Sequence, residues 1–240
     1  MDNVYIQDVC EVFLKDLDSG KQFFFGLTSK NTVTQKIKQE DLRGGIGNGK
    51  VGTISSDKEI SVKVTTLLHN DSIYEIQSGA VFGSKTMEVH KNESLKCTVA
   101  GKVTLVGTPK GSSVVCYNSK GKSIAGTYAT SNFTATTPAD IALGAFYTVV
   151  YVQDVTADAL LLDSKKFPTN YALELHTIAY DVDTNDIVAD VYWAFNKVSA
   201  NGALNAQYDA GKNNGDDIEF SVSLPMGSTE YGYYAVVPKA

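Results

Sequence analysis

Gly47-Asn48-Gly49-Lys50-Val51-Gly52, followed by Thr53-Ile54 and then by Lys58-Glu59-Ile60-Ser61-Val62-Lys63-Val64, is the stretch that decides the fold. Its first six residues spell G-x-G-x-x-G, the pattern that cradles a dinucleotide phosphate. Such a loop works only where its amides open a helix, because the helix dipole and the free N–H groups together hold the anion. Here the glycines run into polar and β-branched apolar residues by turns, a period of two that marks a strand. The glycines are therefore read as a tight or flexible turn before a strand, with no nucleotide site and no cofactor.

Upstream, residues 29–43 are polar and carry Lys30, Lys36, Lys38, Glu40, Asp41 and Arg43 without apolar periodicity. They read as an extended arm or long loop, and a loop of this length in a compact domain is either functional or ordered by a partner. Downstream, Asn70 or Asp71 can cap a short helix whose apolar residues are Ile73, Tyr74 and Ile76 and whose stop is Gly79. Strand-like runs fill residues 9–17, 22–27, 95–106, 112–117, 124–129, 145–153, 160–163, 171–180, 187–195, 218–224 and 231–237. The chain is expected to be mainly β: a barrel or sandwich of antiparallel strands with one short flanking helix and an extended arm or loop. Residues 1–240 read as a single β domain, in which 85–165 are either a part or a small embedded module.

Charge narrows the partners. The formal charge is −6, and residues 181–240 hold three lysines against nine acids. An acidic surface of this kind argues against gripping a nucleic acid backbone, which needs clustered Lys and Arg. The three cysteines, Cys10, Cys97 and Cys116, form no C-x-x-C and are odd in number, so no disulfide framework is expected. Cys97 and Cys116 lie in strand-like runs and read as small core residues. The N-terminus begins acidic and is not read as a signal peptide, and no apolar run approaches the length of a membrane span.

Recognisable chemistry is sparse. His69, His90 and His176 share no metal-ligand spacing. Asp181-Val182-Asp183-Thr184-Asn185 opens like a calcium loop, but the sixth position is Asp186 and the twelfth Tyr192, so it reads as an Asx-rich hairpin turn. No G-x-S-x-G elbow occurs. Tyr231, Tyr233 and Tyr234 offer a stacking platform for sugars or bases, or a half-buried interface. No catalytic, metal or cofactor residues are assigned, and an enzyme is not expected.

Three segments stand together: the loop Leu42 to Ile54, the charged strand Asp57 to Val64, and the short helix ending at Gly79. Their order resembles the tail tube proteins of long-tailed bacteriophages. Phe167-Pro168 before Tyr171-Ala172-Leu173-Glu174, then Trp193-Ala194-Phe195-Asn196-Lys197-Val198, Ile218-Glu219-Phe220-Ser221-Val222 and the closing strand resemble that family's late strands. Residues 85–165 match least. The resemblance implies a virion protein of the phage tail, assembled in the host cytoplasm. It implies copies that form rings, commonly hexameric, stacked into a tube. Other tail proteins (tape measure, terminator, baseplate or tip) would be partners, and genome DNA would pass transiently through the lumen at ejection. The acidic C-terminal excess suits a lumen that repels phosphates. Lys36, Lys38, Arg43, Gly44, Gly45, Gly47, Asn48, Gly49 and Lys50 are then the candidate inter-subunit assembly loop. The other reading is a β-sandwich module that binds carbohydrate or a receptor through its late tyrosines.

Overall fold

A computed structural model of the chain describes residues 4–205, 210 and 215–239. In chain order its elements are β1 (Val4–Tyr5), β2 (Glu11–Asp16), β3 (Gln22–Phe25), β4 (Thr28–Gly44), β5 (Gly49–Thr66), α1 (Asp71–Ser78), β6 (Gly83–Lys96), β7 (Lys102–Thr104), β8 (Val114–Tyr117) and β9 (Ser123–Ile124). They continue with β10 (Gly126–Ala129), β11 (Asn132–Ala135), a single 3-10 turn at Pro138–Asp140, β12 (Phe146–Ala159), β13 (Asn170–Asp181), β14 (Ile187–Ala200), β15 (Asp217–Val222) and β16 (Gly232–Pro238). Strands pair antiparallel throughout the described residues. The expectation of antiparallel β structure with one short α-helix holds. Of the two architectures expected, the sheets are sandwich-like and no closed barrel forms among the described residues.

The chain divides into two compact units, Met1–Val81 with Leu160–Ala240, and Phe82–Ala159. The first is a nine-stranded sheet in the order β3-β2-β13-β14-β15-β5-β4, with β1 added to β13 and β16 added to β14. Strand alternation builds its core. In β2, Val12 and Leu14 point inward and Phe13 outward, and β13 alternates likewise, with Tyr171, Leu173 and Leu175 buried. Val62, Val64, Ile218 and Phe220 join them, and α1 adds Ile73 and Ile76.

The helix ends where local chemistry dictates. The Asn70 side chain accepts the Ser72 N–H at 3.0 Å, and Gly79 closes the helix at φ 67°, its N–H donating to the Glu75 carbonyl. A Cβ at Gly79 would lie 1.9 Å from the Phe167 carbonyl oxygen, so both the backbone angle and the close approach demand glycine. Most buried polar groups of this unit are partnered, the Asn31 Oδ1 being an exception. Burial opposes ionisation of Asp16, but N–H donors from Ser19 and Asp18 and the Thr169 hydroxyl outweigh it and hold the carboxyl below its usual range.

Of the two readings of residues 29–43, the extended arm holds and the long loop does not: they form most of strand β4. Two other local expectations are corrected. Residues 160–163 form no strand, because their leucines find no pairing partner. The run 95–106 is broken into β6 and β7 by a turn at Gly101, whose φ is 83°.

The second unit holds two sheets, β6-β12-β8-β9 and β10-β11-β7, over a core that includes Val103, Leu105, Phe133, Ile141 and Val149. Cys97 and Cys116 are buried there as expected, and burial pushes the Cys116 thiol up to about 11. A carboxylate pins the loop after β7: Glu93 accepts the N–H groups of Val106 at 2.9 Å and Gly107 at 2.7 Å, and the Tyr151 hydroxyl at 2.5 Å. Burial raises the Glu93 pKa, but these donors outweigh it and the net shift is downward. Chain entry and exit are neighbours, because the β6–β12 ladder begins with Gly83 opposite Ala159.

Three outcomes follow. Phe220→Ala removes a fully buried ring and should cost about 3–5 kcal/mol, read by chemical unfolding. Replacing residues 84–158 by Asn-Gly should leave the first unit folded, with unchanged emission from Trp193, the sole tryptophan. Glu93, with its folded pKa depressed, contributes stability above the ordinary Glu value of roughly 4.3 and loses it as pH falls through the folded value. Glu93→Gln should therefore destabilise the second unit at neutral pH and flatten the acid limb of its pH–stability curve.

Candidate assembly surface

Strands β4 and β5 pair from Thr28 opposite Thr66 out to Gly44 opposite Gly49. Only the base of β5, from Ile60 to Thr65, is also paired to β15. From Lys36 and Glu59 outward the two strands form a ribbon without a third strand among the described residues. Nine residues of β4, from Lys36 to Gly44, give this arm a reach of about 30 Å at ~3.3 Å per residue. A two-stranded ribbon is only marginally stable alone in water, and its length leaves rows of backbone donors and acceptors open.

The chain spends local interactions on holding the arm in shape. At its root, Lys63 pairs with Asp217 at 2.7 Å and the Thr65 hydroxyl donates to the same carboxylate at 2.6 Å. Tyr231 supports the exit point, donating its hydroxyl to the Lys58 carbonyl at 3.4 Å while the Lys58 ammonium lies 5.9 Å from its ring centroid. Near the tip, Asp41 accepts from Lys50 at 2.6 Å and lies 3.6 Å from Arg43. The turn is Gly45 to Asn48, with positive φ at Gly45 (80°), Gly47 (93°) and Asn48 (51°), and the Asn48 N–H donates to the Gly45 carbonyl. The glycines first read as a phosphate pattern are thus divided between a strand end and a turn that needs left-handed backbone.

The candidate residues fall together in this hairpin. Lys36 and Lys38 stand on its shaft, Arg43 and Gly44 end β4, Gly45, Gly47 and Asn48 make the turn, and Gly49 and Lys50 begin β5. Sequence reading missed the arm's apolar side chains. Ile37, Leu42, Val51 and Ile54 are at least half exposed or nearly so, and Ile46 at the tip is fully exposed. A Cβ at Gly52 would touch Leu42 and one at Gly44 would touch Val51. Leu42 and Ile54 lie two residues from those glycines, so Leu42, Val51 and Ile54 share one face of the ribbon. Lone exposed leucines are ordinary, whereas these side chains form an exposed apolar stripe on an unsupported ribbon.

His69, His176 and several acids of the C-terminal quarter serve local structure. Asp181 accepts the Asp183 and Thr184 N–H groups, giving the expected Asx turn. Asp190 holds His176 at 3.1 Å, and His176 and Lys239 keep its carboxyl below the usual range. Asp216 accepts the Asn70 N–H at 2.8 Å and faces His69 at 3.0 Å. Tyr231 is partly buried, while Tyr233 and Tyr234 are about half exposed. No helix is long and apolar enough to cross a membrane.

A large antiparallel sheet with two open ends and a protruding ribbon defines a β-structural protein. Its lineage is explicit: residues 4–237 match the model of the YomU/Tube protein family, and the chain belongs to that family. It is 30% identical over 237 residues to the tail tube protein of Bacillus phage SPR, covering 98% of this chain and 88% of that protein. It is also 31% identical over 104 residues to the SPbeta prophage-derived uncharacterized protein YomU of Bacillus subtilis (strain 168), covering 43% of this chain and 39% of that one. The family resemblance read from the sequence is thereby confirmed, and the role is structural, in a phage tail tube, rather than enzymatic.

Changing both Gly45 and Gly47 to Ala should strain the turn by about 1–2 kcal/mol per residue. Amide exchange in residues 36–54 should quicken while the thermal midpoint of the protein stays unchanged, because the tip carries none of the core.

Proposed function

We propose that copies of this chain polymerise into stacked rings, hexameric in the simplest arrangement, that form the tail tube through which genome DNA is ejected. The observation that carries this reading is the arm: a ribbon of about 30 Å with exposed apolar and cationic side chains and no partner strand within its own described residues. The main path of the sheet also ends in two unlike edges, β3 and β4, beside the shorter one-sided strands β1 and β16. Pairing of unlike edges is a heterologous contact, which closes into a ring or continues as a fibre. Side-by-side edge pairing and lengthwise contact through the arm together suit a tube. Lys36, Lys38, Arg43, Gly44, Gly45, Gly47, Asn48, Gly49 and Lys50 belong to the lengthwise contact. The net charge of −6 suits a wall that DNA slides past instead of binding. Such a subunit would work in the virion after assembly in the host cytoplasm, beside the tape-measure, terminator and tip proteins of a tail.

Electron microscopy of the concentrated protein tests this directly. Stacked rings or tubes are expected. Replacing residues 39–56 by Asn-Gly, between the cross-strand partners Lys38 and Asp57, should leave a folded protein that no longer elongates. Tubes of normal length from that variant, or a monomer at every concentration of the unaltered protein, would overturn the reading.

A further inference from the structure

Opposite the core, the first unit carries a trough of about 520 Å³ on the outward face of its sheet. Its geometry follows from register. Phe24 pairs with Phe13, Phe13 with Glu174, Glu174 with Ala194, and Ala194 with Tyr233. These five residues make one straight row across β3, β2, β13, β14 and β16. Aromatic rings stand at both ends of the row, the Phe13 and Phe24 centroids 4.7 Å apart, and a small residue lies between them. Ala172 lowers the floor one pair further along. The rings are open to solvent: Phe13 is 41% exposed, Phe24 54% and Tyr233 57%. One rim is strand β3, whose outer backbone edge is unpaired among the described residues.

We propose that this trough receives the arm tip of a second copy of the chain, with Ile46 and its neighbours Leu42 and Val51 seated between the Phe13–Phe24 pair and Tyr233. This rests on the tube reading above and names the surface that the arm contacts.

Three observations select this occupant. No residue of the chain's own arm lines the trough, and the arm's root in β5 enters the core from Val62 and Val64 while Phe13 and Glu174 face away from that core. The arm that fills a trough therefore comes from another copy. Size and polarity match, since Ile46 is the most exposed large apolar side chain of the chain's described residues and the trough is an apolar slot with a small-residue floor. Charge also matches. From Lys36 to Glu59 the arm holds five cations against four acids, and the excess lies in its outer part, where Lys36 to Lys50 holds four against two (Glu40 and Asp41), on a chain of net −6. The trough face presents Glu174 in its central row and Glu11 and Asp190 beside it, around His176, with Lys15 and Lys239 as its cations. Arg43 and Lys50 flank the tip beside Asp41, and in the contact they share their charge with Glu174 or lie over the open rings.

The test is to place a photo-crosslinking phenylalanine analogue at Ile46 in the full-length protein, irradiate assembled material, and map the products. Crosslinks between copies into residues 11–16, 22–25 or 232–238 are expected. Tubes that crosslink elsewhere would overturn the trough while leaving the tube reading intact. Absence of assembly by the unmodified protein would overturn both. As a second measurement, Phe24→Ser with Tyr233→Ser should raise the concentration needed for assembly at least tenfold with the melting curve unchanged. Assembly unaffected by that pair would also overturn the assignment.

Discussion

The structure depends on one ladder, the pairing of β4 with β5. Near the body it is ordinary sheet: Ile60 to Thr65 bind β15 on one side and β4 on the other, and Val62 and Val64 enter the core. Beyond Glu59 the same ladder continues with no core beneath it and no third strand among the described residues. Backbone hydrogen bonds contribute little net stability in water because the unfolded chain makes equivalent bonds to solvent. The ribbon is kept in shape by pairs such as Lys50–Asp41 and by Tyr231 at its root. Surface ion pairs of this kind contribute about 0–1 kcal/mol each. They orient the arm without making it a stable domain, and the exposed apolar stripe supplies a reason for contact with another chain.

What could be read from the sequence follows the same physics. The helix was readable to its ends because Asn70 and Gly79 act through bonds to residues two to four positions away. Strands with one buried face, such as 171–180 and 218–224, were readable because burial imposes alternation. Residues 29–43 were legible only as an extended arm or loop, because from Gln35 onward β4 is wet on both faces and nothing selects a period. Strand β6 went largely unseen for the same reason, most of its length being exposed. The 160–163 leucines mislead in the opposite sense, apolar yet unpaired.

The candidate site shows the same division. Polar and glycine residues of the arm could be named from composition, and they do lie together in one hairpin. Its apolar stripe could not, since membership depends on the register that sets Leu42 opposite Gly52. The aromatic row across five strands is further from view. Phe13, Phe24, Glu174, Ala194 and Tyr233 span most of the chain, and only cross-strand pairing aligns them.

The root of the arm also has a mechanical character. Its six pairs with β15, Ile60–Val222 through Thr65–Asp217, run along the axis of the strand that carries the arm. A pull along that axis loads all six pairs at once, in shear, whereas a sideways pull would open them one at a time. The Lys63–Asp217 ion pair sits at the inner end of this row, reinforcing the same direction. The root of the arm is thus anisotropic, stiffer against tension along the arm than across it.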